Sequence, residues 1–199
     1  MRVLIVGSEG NMGRRYQSIL KQIGVDFEKY DTCYSHTSIN YRQKAMMCDK
    51  VIIATPTDTH IKQISHVRDV TQCDILCEKP IATRPIDGYD FNGVYMVNQY
   101  EYIEHKGDGQ TVYDYYHSGN DGRNWDCIQL IALASGYLDI WKQGPVWACK
   151  INGHSISREQ VDRAYVSMVE DFLSTKKQMW DWEFTQRAHR KAYDVTPRK

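Results

Sequence analysis

The sequence predicts an α/β protein with a doubly wound parallel sheet, followed by a reduced α/β (α+β) second domain. Three observations support this prediction. Short aliphatic runs alternate with helical patterns through the first half of the chain. The first run leads through a glycine-rich turn into the first helix, and the runs are continuous rather than alternating, which is typical of strands buried on both faces.

The first-half elements can be assigned in order. Arg2 to Val6 reads RVLIV and ends at Gly7, which predicts a buried strand. From Asn11 onward, apolar residues recur at helical spacing as far as Gly24, a residue type that commonly ends helices. Three further strands are predicted at Val25–Tyr30, Lys50–Ala54 and Asp74–Cys77. One further helix is predicted at Thr59–Val70.

Beyond Pro85, glycines punctuate short tyrosine-rich segments, which predicts a small mixed sheet. Its candidate strands are Thr111–Tyr116 and Pro145–Ile151. A helix is predicted at Ser157–Ser174, with Ser157 as the N-cap and Gln160 completing a capping box. We place the domain boundary at residue 98, with a nucleotide-binding domain over 1–98 and a shortened substrate and dimerisation domain over 99–199.

The charge balance and the hydropathy of the chain limit the kinds of molecule that it is expected to bind. Twenty-five basic residues balance twenty-five acidic ones, so there is no basic footprint for nucleic acid or an anionic membrane. The apolar start is too short for a signal peptide, and no run approaches the roughly 20 residues of a membrane span. We therefore expect a cytoplasmic protein that binds small molecules and its own subunits.

The six cysteines include no Cys-x-x-Cys pair. We expect reduced, mostly structural thiols. Cys73 and Cys77 could form one half of a zinc site, but the second pair that zinc needs is missing. No metal site is predicted.

A glycine cluster lies between the first strand and the first helix. Gly7, Gly10 and Gly13 have the spacing GxxGxxG, at the point where a pyrophosphate needs close backbone approach and free helix N–H donors. We predict a Rossmann-type dinucleotide site that also includes Asn11 and Met12. The alternative is a tight strand-to-helix turn with no ligand.

Asp31 ends the second predicted strand, near the acidic position that binds an adenosine ribose. A carboxylate there repels a 2′-phosphate, so NAD is favoured over NADP. Neither Ser8 nor Arg42 excludes NADP outright. The alternative for Asp31 is a solvated turn residue.

Two segments resemble signature segments of the Gfo/Idh/MocA family of sugar-type oxidoreductases. They are IATPTDTH, from Ile53 to His60, and LCEKPIA, from Leu76 to Ala82. The turn from Met12 to Arg15 is also similar to that family's first helix. The resemblance covers roughly the first half. It implies a Rossmann domain, NAD(P)-dependent chemistry on a sugar, sugar nucleotide or polyol, and a second domain whose open sheet commonly makes a homodimer or higher oligomer.

The resemblance also implies roles for particular residues. Lys79 would face the nicotinamide and the reacting carbon and is the first catalytic candidate, while Glu78 would orient it. The Lys79-Pro80 bond would be cis, a form that proline makes accessible. Further residues at the cofactor would be Thr55, Pro56, Thr57, His60 and Asn98, although a histidine that begins a helix more often packs or caps than reacts.

The second-domain motif departs from the family pattern. The segment from Gly122 to Leu130 resembles GxxxDxxxH, with Leu130 in the position of the histidine. Leucine cannot act as an acid or base. Either Asp126 with Lys79 handles the proton, or His117 does, or turnover of the usual substrate is lost. Asp126 could instead be a favourable helix N-terminal residue.

Family members are usually much longer, and only about fifteen residues separate Ala82 from Asn98, so this chain resembles a shortened member. The leading hypothesis is an NAD(P)-dependent oxidoreductase. The alternatives are a non-catalytic or sensory NAD-binding protein that kept the fold, and a reductase similar to dihydrodipicolinate reductase, against which the Glu78-Lys79-Pro80 segment argues.

Overall fold

The structure is a computed structural model of the 199-residue chain. It describes residues 1–31, 41–82, 86, 88–103, 154–174, 179 and 181–195. It also describes the backbone of residues 112–117, 128–133, 138–143 and 146–151.

Five parallel strands form the central sheet of the first half. They are β1 (Arg2–Val6), β2 (Asp26–Tyr30), β3 (Lys50–Ile53), β4 (Asp74–Cys77) and β5 (Val94–Met96), in the order β2-β1-β3-β4-β5. The predicted α/β class with a Rossmann-type parallel sheet is confirmed. Four of the strands match their predicted ranges to within a residue, whereas β5 was not predicted.

Strand β1 lies between β2 and β3. Val3 pairs with Phe27 on one side and with Lys50 on the other. The chain therefore leaves β1 in one direction and returns to its opposite edge, and such a reversal opens a crevice at the carboxyl ends of the strands. The crevice lies where β1 and β3 end.

Three helices follow these strands: α1 (Asn11–Gln22), α2 (Tyr41–Met46) and α3 (His60–Arg68). Helix α1 ends in a Schellman motif, because the Gly24 N–H donates to Lys21 O at 3.3 Å and the Val25 N–H donates to Leu20 O at 2.9 Å. Gly24 has φ of 70°, which is strained for residues with a side chain. The sequence prediction of a helix end here is confirmed.

The predicted helix Thr59–Val70 is shorter in the structure. A 3-10 turn at Thr57–Thr59 precedes α3, which ends at Arg68. Arg68 then donates to Cys73 O at 2.6 Å and to Asn92 O at 2.7 Å. These bonds tie the end of α3 to the residues that lead into β4 and β5.

The chain divides into two compact units. The first comprises Met1–Ala82, Tyr89–Met96 and Trp180–Trp182, and the second comprises Thr83–Gly88, Val97–Met179 and Glu183–Lys199. In the first unit the interior residues of β1, β3 and β4 are completely buried. Trp182 joins this unit by packing on Phe91 and donating its indole N–H to Tyr89 O at 2.9 Å.

The second unit contains two antiparallel arrangements. Strands β6 (Val112–His117) and β7 (Ile128–Leu133) pair with each other, and β8 (Leu138–Gln143), β9 (Val146–Ile151) and β10 (His154–Ile156) form a sheet in the order β10-β9-β8. The prediction of a mixed sheet is wrong for the described strands. All the described pairs are antiparallel and consecutive in sequence, and two-residue connections join β8 to β9 and β9 to β10, which no parallel crossover allows.

Two helices complete the second half: α4 (Arg158–Leu173) and α5 (Trp182–Val195). The predicted capping box is confirmed, because Gln160 N donates to Ser157 Oγ at 3.1 Å and Ser157 N donates to Gln160 Oε1 at 2.9 Å. Helix α5 was not predicted; its buried residues are Trp182 and Phe184 together with the polar residues Thr185 and His189.

No helix within the described residues is both long enough and apolar enough to cross a membrane.

Candidate active site

The glycine turn at the end of β1 is fixed by close backbone packing. Gly7 has φ of 84°, and a Cβ placed on it would lie 2.7 Å from Ala54 O. The N–H groups of Gly7 and Ser8 both donate to Tyr30 O, at 2.9 and 3.1 Å. The turn after β1 is therefore fixed against the loop after β3 on one side and the end of β2 on the other.

The other two glycines differ in what excludes a side chain. A Cβ on Gly13 would overlap Gly7 O and lie 2.7 Å from Ser8 Cα, so glycine lets α1 pack on the turn. A Cβ on Gly10 would meet no protein atom closer than 3.6 Å. Protein packing does not require glycine at this position, whereas a ligand approaching the backbone would.

The N-terminus of α1 is suited to an anion. Gly10 is the N-cap and provides no side-chain hydrogen bond, and the first turn holds no acidic residue. The first N–H groups of a helix have no intrahelical partner and favour negative charge. Gln17 also braces the turn by donating to Ser8 O at 2.6 Å. The residues present fit a pyrophosphate.

Asp31 is joined to the glycine turn. One of its carboxylate oxygens accepts the Glu9 N–H at 2.9 Å. Glu9 in turn pairs with Lys29, whose Nζ lies 3.1 Å from Glu9 Oε1. Asp31 is thus held at the carboxyl end of β2 beside the turn, a geometry that differs from a freely solvated turn aspartate.

The loop after β3 carries three of the predicted cofactor residues, Thr55, Pro56 and Thr57. Thr59 closes this loop, because its Oγ1 lies 2.7 Å from both Thr55 Oγ1 and Pro56 O. Its N–H also donates to Pro56 O at 2.9 Å. The loop is therefore an ordered turn at the carboxyl edge of the sheet.

His60 lies beneath that loop. Its imidazole is 1% exposed, with Nε2 2.7 Å from Thr55 O and Nδ1 2.9 Å from Pro80 O. Burial lowers the pKa of His60, opposed by the two carbonyl contacts and by the carboxylates of Glu78 and Asp58. Both ring nitrogens therefore face protein carbonyls.

Glu78 is buried at the end of β4 and is held by its neighbours. Its Oε1 accepts the Tyr16 hydroxyl at 2.5 Å, and its Oε2 accepts the Lys79 N–H at 3.3 Å. Its own N–H donates to Ile53 O at 2.9 Å, which extends the pairing of β3 with β4 by one residue beyond the end of β4. These contacts suit the orienting role expected for Glu78 better than a role as a base.

Lys79 is partly buried, and its environment shifts its ionisation towards the neutral amine. Burial lowers the pKa of Lys79 to about 8, with a further lowering by Arg15 and an opposing effect of the Glu78 carboxylate. The Lys79-Pro80 peptide bond is cis, as expected. A general acid or base is most effective when its pKa lies near the working pH, so this amine suits proton transfer.

The other predicted site residues lie from Asn98 onward in the chain. Asn98 is buried in the second unit, at the start of the 3-10 turn Gln99–Tyr102. Asp126 lies outside the described residues. Leu130 lies within β7, where it pairs with Tyr115. The alternative interpretation of Asp126 as a helix N-terminal residue is not supported, since the chain from Ile128 is a strand.

Three contributing residues escaped the sequence analysis. Tyr16 looked like a core residue of α1, although a buried tyrosine hydroxyl usually needs a partner and could have suggested one. Thr59 was seen only as a helix start. Arg15 was noted only as part of the turn from Met12 to Arg15, and its effect on the pKa of Lys79 arises because the fold brings the two residues close together.

Comparisons with known proteins support the fold. No family model and no curated protein sequence matches this chain. Among solved structures, the WlbA (WbpB) dehydrogenase from Thermus thermophilus, in complex with NAD and UDP-GlcNAcA, is similar over 100% of this chain and 96% of its own, with 13% identity and a TM-score of 0.58.

Two further solved structures are similar to this chain. A dehydrogenase (MviM) from Clostridium difficile is similar over 98% of this chain and 98% of its own, with 11% identity and a TM-score of 0.59. The Thermus thermophilus WlbA enzyme with NAD and alpha-ketoglutarate covers 96% of this chain and 93% of its own, with 13% identity and a TM-score of 0.57. The chain therefore has the fold of Gfo/Idh/MocA-type sugar dehydrogenases.

Proposed function

We propose that this chain is an NAD(H)-dependent oxidoreductase of the Gfo/Idh/MocA type, which acts on a hydroxyl-bearing or carbonyl carbon of a sugar, sugar nucleotide or polyol. The observation that carries the proposal is Lys79. It combines a position at the carboxyl edge of the sheet with a pKa of about 8, close to the value that proton transfer at neutral pH requires.

The nucleotide half of the proposal rests on the glycine turn. The backbone of Gly7, Gly10 and Gly13 would approach the pyrophosphate, with the first N–H groups of α1 as donors. Asn11 and Met12 supply two of those N–H groups. Asp31, held beside the turn by the Glu9 N–H, would accept a ribose hydroxyl.

The chemistry would be shared between cofactor and protein. A bound nicotinamide supplies or accepts the hydride. Lys79 would hold the reacting oxygen and give or take its proton, since both charge states of an amine with pKa near 8 are populated around neutral pH. Glu78, fixed by Tyr16, would keep a negative charge beside the amine. Asp126 remains the second catalytic candidate.

A similar solved structure suggests which substrates to test first. The WlbA dehydrogenase was crystallised with NAD and UDP-GlcNAcA, and in a second structure with NAD and alpha-ketoglutarate. We therefore place nucleotide sugars before free sugars and polyols. The competing proposal is an NAD-binding protein without turnover, favoured by the leucine at position 130.

The first experiment is a calorimetric titration with NADH and NADPH, followed by a turnover screen with nucleotide sugars, sugars and polyols. We expect NADH to bind more tightly than NADPH. Asp31→Asn should reduce that preference, because the repulsion of a 2′-phosphate is removed. Asp26→Asn, at the exposed start of the same strand, is the matched control and should change neither affinity.

Equal or tighter NADPH binding by the unmodified protein would remove the role proposed for Asp31. Absence of binding by either nucleotide would refute the proposed function. Tight NADH binding without turnover of any substrate class would favour the non-catalytic alternative, and Leu130→His would then test whether the missing histidine is the cause.

We further propose a homodimer or higher oligomer, since the open sheet of this family's second domain commonly makes that contact. Sedimentation velocity across micromolar concentrations tests it. A single monomeric species throughout would refute it.

A further inference from the structure

His60 connects two segments that the proposed function assigns to different tasks. Thr55, at the end of β3, belongs to the loop expected along the cofactor, and Pro80 follows the expected catalytic lysine at the end of β4. The His60 imidazole lies between their carbonyl oxygens, at 2.7 Å from Thr55 O and 2.9 Å from Pro80 O. Twenty-five residues of chain separate these two carbonyl groups, yet one ring contacts both.

The ring is not available as a surface contact. It is 1% exposed, and both of its nitrogens are used on backbone carbonyls rather than directed at a ligand. This geometry argues against direct cofactor binding by the His60 side chain. It indicates a role beneath the site instead.

The hydrogen-bonding capacity of the ring makes the two contacts interdependent. A neutral imidazole has one N–H donor, whereas the imidazolium has two. A buried carbonyl oxygen that accepts no hydrogen bond is unfavourable. A movement of the Thr55 loop or of the Pro80 segment therefore changes which of the two carbonyl oxygens the ring N–H can best reach. Glu78 and Asp58 favour the charged ring and burial opposes it.

Accepting the proposed function, we propose that His60 is a positioning residue that holds the Thr55 loop and the Lys79-Pro80 segment in register, and thereby links cofactor binding to the environment of Lys79. The Thr55 side of the link is stiff, because Thr59 closes the same loop through two contacts of 2.7 Å. On the other side, Pro80 is buried and directly follows Lys79 in the chain. Movement at one side is therefore transmitted to the other through the ring.

The test uses His60→Phe, which keeps an aromatic ring but removes both polar contacts. The first readout is the pH midpoint for acylation of the Lys79 amine by a trace reagent, followed by peptide mass spectrometry without nucleotide. The second readout is the NADH dissociation constant. The control is His66→Phe, in the last turn of the same helix.

We expect the Lys79 labelling midpoint to rise by about one pH unit in His60→Phe, because a loosened segment admits water and reduces the burial that favours the neutral amine. NADH affinity should fall roughly tenfold, as expected when a supporting residue shifts a positioned group. His66→Phe should leave both unchanged. His60→Gln can donate to one carbonyl and should give intermediate values, and it replaces the phenylalanine variant if that variant does not fold.

An unchanged Lys79 midpoint in folded His60→Phe or His60→Gln would overturn the proposal, whatever happens to NADH affinity. A shifted midpoint with unchanged NADH affinity would overturn the link to the cofactor. If the unmodified protein binds no NADH, the proposed function fails and with it the cofactor link, while the labelling midpoint still reports whether His60 positions Lys79.

Discussion

The charge state of Lys79 is the property of this site that a single substitution should change most clearly. Burial lowers the pKa of Lys79 to about 8, and the Glu78 carboxylate opposes that effect. Glu78→Gln removes the negative charge and preserves the size of the side chain. The amide oxygen can still accept the Tyr16 hydroxyl, which now lies 2.5 Å from Glu78 Oε1. The pKa of Lys79 should therefore fall further.

The size of the effect follows from the titration equation. At pH 7 an amine with a pKa near 8 is about 9% neutral, compared with about 0.03% for an ordinary lysine, a difference of about 300-fold. A nearby opposite charge typically changes a pKa by about 1–3 units. We take the lower end, since Lys79 is only partly buried. A fall of about one unit would make roughly half of the amine neutral at pH 7.

The assay is the pH dependence of acylation of the Lys79 amine, with Lys62 as an exposed internal reference. Glu28→Gln is the matched control, because Glu28 is a carboxylate on β2 that pairs with Arg2 and Lys44. We expect the Lys79 midpoint to move to lower pH in Glu78→Gln and to stay in place in Glu28→Gln.

A midpoint that stays the same or rises in folded Glu78→Gln would refute this reasoning. It would mean that the carboxylate does not act on the amine, or that substitution opens the pocket and weakens the burial that lowers the pKa. Once a substrate is known, the limb of the kcat/KM profile that reports Lys79 should show the same displacement; this is the acidic limb if the amine takes the proton and the basic limb if the ammonium gives it.

Lys79→Met should leave folding and NADH affinity intact and reduce turnover by about 100-fold or more, as expected for a lost general acid or base; Lys62→Met is the control, and near-normal turnover of Lys79→Met would contradict the assignment. Gly13→Ala places a Cβ 2.7 Å from Ser8 Cα. Such crowding should cost about 1–3 kcal/mol and lower the Tm by about 2–4 °C per kcal/mol, measured by calorimetry. Gly10→Ala should leave the Tm unchanged yet weaken NADH binding, and unimpaired binding would count against a pyrophosphate at this turn.

The sequence by itself determined the local elements of the first half. Short continuous aliphatic runs that end at glycine or turn residues are typical of doubly buried strands, and β1 and β4 were placed to the residue. The capping box at Ser157 and the glycine that ends α1 were equally local, because each depends on residues within one turn of helix. The cis bond at Lys79-Pro80 followed from the family resemblance.

Sequence reasoning missed two elements of the structure. Helix α5 was not predicted, and part of its buried face is polar, at Thr185 and His189, whose burial cannot be inferred from hydrophobicity alone. Strand β5 has only three residues, too few to show a period. The pairing direction of the strands in the second half also required the structure, since similar patterns fit parallel and antiparallel neighbours.

Only the tertiary structure decided how the candidate site residues act on one another. Tyr16 and Glu78 are 62 positions apart and form one hydrogen bond, and His60 contacts carbonyls from two different strand ends. The shifted pKa of Lys79 likewise arises from burial and from charges that α1 and β4 bring together. Desolvation and Coulomb interactions depend on distance in space, and residue spacing along the chain does not encode that distance.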